Sequence, residues 1–117
     1  MEKKLKALPD NPTMSDFQAL VHALESHHGW LDVDLVHNCF LMGEEVGELF
    51  AAIRRYNRYF KEAGPVVSKE DVAFEIVDVL NFLLAIANRL DIDVEAAFRA
   101  KNERNFTRSW STEREET

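Results

Sequence analysis

Apolar residues recur at helical spacing along nearly the whole chain, and alternation with a period of two is almost absent. Phe17, Leu20, Val21 and Leu24 stand at i, i+3, i+4 and i+7, which predicts a first helix over about 15–28. Ser15 with Gln18 three residues on reads as its capping box, and Gly29 as its stop. A second, long helix is predicted from about Asp34 to Glu62, ended by Gly64-Pro65. Its core stripe reads Leu35, Cys39, Met42, Val46, Leu49, Ile53, Tyr56 and Phe60. A third helix starts after Ser68, with Glu70 and Asp71 favourable in its first turn, and runs to about Leu90. It is apolar nearly all round, from Val72, Phe74, Ile76 and Val77 through Val79, Leu80, Phe82, Leu83, Leu84 and Ile86. A fourth begins at Asp93 as N-cap and reaches about Arg108. Residues 1–13, broken by Pro9 and Pro12, form a lead-in; residues 14–110 form one helical domain; residues 111–117 are a polar tail. The expected fold is therefore all-α, a four-helix bundle. The third helix is too apolar for a chain this small to cover alone, so a homodimer or homotetramer is expected to complete the bundle.

Composition narrows the classes. The 117 residues are 46% hydrophobic and 30% charged, with four Gly and three Pro, which excludes a disordered or collagen-like chain. Acids interrupt every apolar stretch, so no membrane span is expected. No apolar segment follows the basic residues at the N-terminus, so no secretory signal is expected either. Cys39 is the only cysteine, which precludes an intrachain disulfide and fits the cytoplasm. Fourteen Lys and Arg against 21 Asp and Glu give a formal charge of −7. Duplex nucleic acid is a poor partner for such a surface, because its binding rests on cations neutralising phosphates. A small polyphosphate remains open if a metal ion or a local basic cluster meets it.

The acids themselves are patterned. Glu44, Glu45 and Glu48 cluster on the second helix, where at about 100° per residue Glu45 and Glu48 border the apolar stripe and Glu44 points away. Glu75 and Asp78 sit three apart on the most hydrophobic helix, where an unpaired buried carboxylate costs several kcal/mol. Salt bridges to Arg54, Arg55 or Arg58 would explain them; so would a cation shared by four converging carboxylates. Hard oxygen ligands on rigid helices suit Mg²⁺, with Mn²⁺ as a substitute. On the fourth helix, the face of Val94, Ala97 and Phe98 continues as Lys101, Asn105 and Arg108, a set suited to phosphate contacts.

Gly43-Glu44-Glu45-Val46-Gly47-Glu48-Leu49, followed by Glu75-Ile76-Val77-Asp78-Val79-Leu80, resembles the MazG-like nucleoside triphosphate pyrophosphohydrolases. Their signature is E-x-x-E, a gap, then E-x-x-D. The stretch Asn88-Arg89-Leu90-Asp91-Ile92-Asp93, with Lys101 and Asn105 beyond it, is also similar, and the resemblance spans roughly Trp30 to Trp110. It implies an all-α hydrolase in which water attacks at the α–β linkage of a (d)NTP, giving (d)NMP and pyrophosphate, in a nucleotide-pool housecleaning role. By the same resemblance Glu45, Glu48, Glu75 and Asp78 are the metal ligands, and Glu44, with Glu45, is the catalytic acid that orients or deprotonates water. Lys101 and Asn105 match nucleotide-contacting positions. Phe82 takes the place where many members carry Tyr. Trp30, His37 and Asn81 are candidate base contacts.

Other readings carry less. Glu25-x-x-His28 is half of a di-iron motif, but neither Glu45 nor Glu75 has His at i+3, so a carboxylate di-metal storage bundle is disfavoured and Glu25 and His28 read as a surface pair. A non-catalytic helical dimerisation module, with its acids satisfying arginines, is the main rival. Cys39 reads as plain core.

Overall fold

The computed structural model describes residues 8–58, 64 and 66–108. Its four helices are α1 (Met14–His28), α2 (Leu35–Asn57), α3 (Lys69–Arg89) and α4 (Val94–Thr107), with no strand among the described residues. The all-α reading holds, and each helix start has a side-chain acceptor. Asp34 caps α2 by accepting from the His37 N–H at 2.8 Å, and Asp93 caps α4 by accepting from the Ala96 N–H at 3.1 Å. Helix α3 starts after Ser68 as the sequence predicts, and Ser68 and Asp71 cap it reciprocally; their hydrogen bonds hold the Asp71 carboxyl below its ordinary value.

Three local expectations are corrected. The capping box of α1 is Thr13 with Asp16, two residues before the expected pair, because Gln18 turns inward instead. Helix α2 ends at Asn57, where Arg58 takes the left-handed conformation at φ 55° and its N–H closes on the Arg54 and Arg55 carbonyls. The expected continuation through Phe60 to Glu62, and Pro65 of the expected stop, lie outside the described residues, as do residues 1–7 and 109–117. Cys39 is exposed rather than core.

The last point follows from how α2 is turned. Its inward face carries buried Asn38 and Ala52 with half-buried Glu45 and with Leu35, Met42, Val46 and Leu49 of the expected stripe, which therefore turns inward over part of its length only. Asn38 is drawn in because its amide donates to the Val33 and Asp34 carbonyls at 3.1 and 2.9 Å, closing the turn into the helix. Cys39, Ile53 and Tyr56 of the expected stripe are consequently exposed on the single chain.

The core is small: Val21, Leu84 and Ala85, with Met14, Phe17 and Val94 packed against them. Helix α3 lies at the centre, against α2 along much of its length and against α1, while α4 packs on α1. Gln18 ties three of these elements together. Its amide donates to Asn88 Oδ1 and to the Ile92 carbonyl at 3.0 and 2.8 Å, and accepts from the Val94 N–H at 3.0 Å. Asn88 returns a bond to the Gln18 carbonyl at 2.9 Å.

Candidate active site

The packing of α2 on α3 brings the two acidic motifs together. Glu45 on α2 and Glu75 and Asp78 on α3 each offer a carboxylate oxygen, and these oxygens lie within 4.8 Å of one another. Three residues of α-helix turn the chain through about 300°, which sets Glu75 and Asp78 on one side, a turn apart. Glu44 and Glu48 line the same open hollow, with Gly47, but stand outside that trio. Burial is uneven: Glu45 and Glu75 are half-buried, whereas Glu44, Glu48 and Asp78 are exposed. The expectation that the hydrophobic helix buries both its acids thus holds in part for Glu75 and fails for Asp78, which is exposed although it lines the hollow.

The electrostatic burden of the cluster shows at Glu45. The Glu45 carboxyl is pushed above its ordinary value of 4.5, first by desolvation and then by Asp78, Glu75, Glu48 and Glu44. Glu75 Oε1 is fully shielded and accepts no hydrogen bond from a described residue. A buried acceptor left in that state costs about 1–3 kcal/mol. Hard carboxylate oxygens at this mutual distance, one of them shielded without a partner, fit a divalent cation.

Beside the carboxylates opens a cavity of about 330 Å³. Val21, Leu24, Phe82 and Ala85 give it apolar walls; Trp30, His28, Glu25 and Asn81 give it aromatic and polar ones. Glu45 and Asp78 line it too, so it communicates with the acidic hollow. The His28 ring stacks on Trp30 at 4.4 Å between centroids and 19° between planes. Glu25 is buried and paired with Arg89 through both oxygens, at 3.0 and 2.9 Å. The surface-pair reading of Glu25 and His28 is therefore corrected. The signal was present: Glu25 stands at i+4 from Val21, on the inward face of α1.

Of the expected base contacts, Trp30 and Asn81 line the cavity. His37 is exposed in the first turn of α2 and does not. Lys101 and Arg108 are exposed on α4, Asn105 is half-buried with its amide donating to Asn102 Oδ1 at 3.2 Å, and none of the three lines the hollow or the cavity of the single chain. The expected inner face of α4 is also reduced to Val94. Ala97 is exposed and Phe98 is 64% exposed, because among the described helices α4 packs mainly on α1.

An all-helical chain with its acids paired in this way has the architecture of the all-α NTP pyrophosphatase, or MazG-like, superfamily. Within that superfamily the family model of phosphoribosyl-ATP pyrophosphohydrolase matches residues 16–105, and the chain belongs to this family. The likeness to MazG enzymes drawn from the sequence holds at the superfamily level. No curated protein and no solved structure gives a significant match. The family hydrolyses acid anhydrides, takes small nucleotide substrates and depends on divalent metal. Among the described residues no helix is long and apolar enough to cross a membrane.

Proposed function

We propose that the chain is a Mg²⁺-dependent pyrophosphohydrolase that cleaves a (d)NTP to the (d)NMP and pyrophosphate, in a nucleotide-pool housecleaning role in the cytoplasm. The observation that carries this reading is the carboxylate trio with its partnerless Glu75 oxygen, opening onto a cavity with the size and lining of a base site. Glu45, Glu75 and Asp78, joined by Glu48, would hold the cation; Mn²⁺ would substitute. A cation bound there supplies neutralisation of the phosphate charge and a lower pKa for water. Glu44, at the exposed rim, orients the attacking water and Glu45 takes its proton. The water oxygen bonds to Pα, the Pα–O bond to the bridging oxygen breaks, and pyrophosphate leaves with that oxygen. Trp30, Phe82 and Asn81 receive the base. Lys101, Asn105 and Arg108 contact phosphates from a second subunit of a homodimer or homotetramer, since within one chain they lie off the site.

Family membership favours a second reading, in which phosphoribosyl-ATP itself is the substrate. Its extra phosphoribosyl group carries a further phosphate, which Lys101 or Arg108 of a second subunit would have to meet, because among the described residues no Lys or Arg lines the cavity of one chain. The test is a panel of canonical and damaged (d)NTPs with phosphoribosyl-ATP included, assayed for pyrophosphate with Mg²⁺, Mn²⁺ or EDTA. Pyrophosphate from at least one (d)NTP, lost in EDTA, is expected. Turnover of phosphoribosyl-ATP alone would select the second reading. Orthophosphate with a remaining diphosphate would overturn the cleavage site, and no turnover at all would return the dimerisation module.

A further inference from the structure

Trp30 is tied by its N–H to the Glu25 carbonyl at 2.8 Å and by the His28 ring, and its carbonyl is also held by a side chain that does not line the cavity. It lies on the connection between α1 and α2, directly after Gly29, which leaves the helix at φ 74°. Such a connection has little packing of its own, and Trp30 is 49% exposed. Arg89, near the end of α3, spans the segment. Its Nε donates to the Val33 carbonyl at 2.8 Å and one terminal nitrogen donates to the Trp30 carbonyl at 3.0 Å. The other terminal nitrogen donates to the Ala85 carbonyl of its own helix at 3.1 Å and to Glu25 of α1 at 3.0 Å. Five donors in a planar fork can join two helices and a loop at once; the ammonium of a lysine cannot.

We propose that Arg89, locked by Glu25, is a positioning residue that fixes Trp30 as the aromatic wall of the cavity and so sets affinity for a flat heteroaromatic ring. The identity of that ring as a nucleobase rests on the function proposed above; the ordering of Trp30 does not. Arg89 works on the loop and not on the reacting phosphates, because it lines neither the cavity nor the acidic hollow. Glu25 has each oxygen engaged by the guanidinium. That engagement keeps the guanidinium oriented toward the loop.

The deciding substitution is Arg89→Lys, which keeps the charge for Glu25 but cannot reach both the Val33 and Trp30 carbonyls. Two readouts are taken. The first is acrylamide quenching of Trp30 in a Trp110→Phe background, where Trp30 is the only tryptophan left. The second is the split between KM and kcat for the best substrate of the panel. Aromatic–base stacking of ordinary strength implies a rise in KM of about tenfold with kcat within about twofold. Quenching of Trp30 should rise as well. Combining Arg89→Lys with Trp30→Ala should raise KM no further than Trp30→Ala alone, an outcome that a general loss of stability would not produce. Unchanged quenching overturns the proposal, as does a fall in kcat at constant KM or a KM effect that multiplies with that of Trp30→Ala. Should the wild type hydrolyse nothing, the nucleotide reading fails, and quenching alone decides whether Arg89 orders Trp30. If Arg89→Lys does not fold, Glu25→Gln, which leaves the Arg89 bonds to the loop carbonyls available, is read by the same quenching; it should rise by less than the loss of Trp30 from its wall would give, and no rise overturns the proposal.

Discussion

Asp78 is the exposed member of the three carboxylates that meet, and this makes it the clean place to test the metal centre. Asp78→Asn is nearly isosteric and disturbs little packing. It removes a ligand and the largest charge acting on Glu45. In EDTA the variant should be at least as stable as the wild type, since a repulsion is gone. With Mg²⁺ at a hundredfold over its Kd the wild type should gain about 2.7 kcal/mol by mass action, and the variant much less. Activity should fall steeply in the variant. A variant clearly less stable in EDTA, beside a wild type indifferent to Mg²⁺, would mean that Asp78 is a structural partner instead. The same samples carry a pH test. Glu45 holds its proton more tightly in the fold than in the unfolded chain, so the folded state binds more protons between 4.5 and the raised value. Metal-free wild type should therefore gain stability as the pH falls through that window, with the penalty at full strength above it. In Asp78→Asn this gain should shrink. Thermal unfolding across pH in EDTA measures both.

Among the elements, the joint at Gln18 is where a single side chain holds most of the architecture. Its amide satisfies groups on α3, on the turn after it and at the start of α4. Gln18→Ala should strand these partly buried groups and cost about 2–3 kcal/mol, read as a fall in the denaturant midpoint at unchanged slope. A loss under 0.5 kcal/mol would show that water replaces the joint at little cost. The same residue explains part of what the sequence left hidden. Period and capping chemistry are local, so all four helices, the start of α3 after Ser68 and the Asp93 cap of α4 could be read directly. Which face turns inward is not local. Of the expected stripe on α2, Leu35, Met42, Val46 and Leu49 are half-buried but Cys39, Ile53 and Tyr56 are exposed, while Asn38, bonded to the Val33 and Asp34 carbonyls, and Glu45 turn inward. Gln18 likewise looked like a cap and is a buried joint. The carboxylate trio was legible because E-x-x-E and E-x-x-D each fix a spacing on one helix. The cavity was only half legible: Trp30 and Asn81 were expected, whereas Glu25 and Arg89 depend on contacts between residues 64 apart in the chain.

On the scale of the whole molecule, the apolar residues left exposed on α2 and α3 point to association. Phe40, Phe50, Ile53 and Tyr56 on α2 and Phe74, Ile76, Val77, Leu80 and Leu83 on α3 are all exposed in the single chain, while the core beneath them is small. An apolar surface of that extent, at the typical 25 cal/mol per Å² of burial, is a strong drive toward association. A second copy would cover it, and would also supply the cations of α4 that lie off the site in one chain. Light scattering at micromolar concentration should therefore give a dimer or tetramer, and the unfolding midpoint should rise with protein concentration. Phe74 is 61% exposed, so Phe74→Asp should alter the isolated chain by no more than about 0.5 kcal/mol while weakening association at least tenfold. If the acidic site is completed by the partner, activity in Phe74→Asp should fall in step with the oligomer and return when the protein is concentrated. A wild type that is a stable monomer at micromolar concentration and fully active would show that one chain completes its own site and that the exposed face has another role.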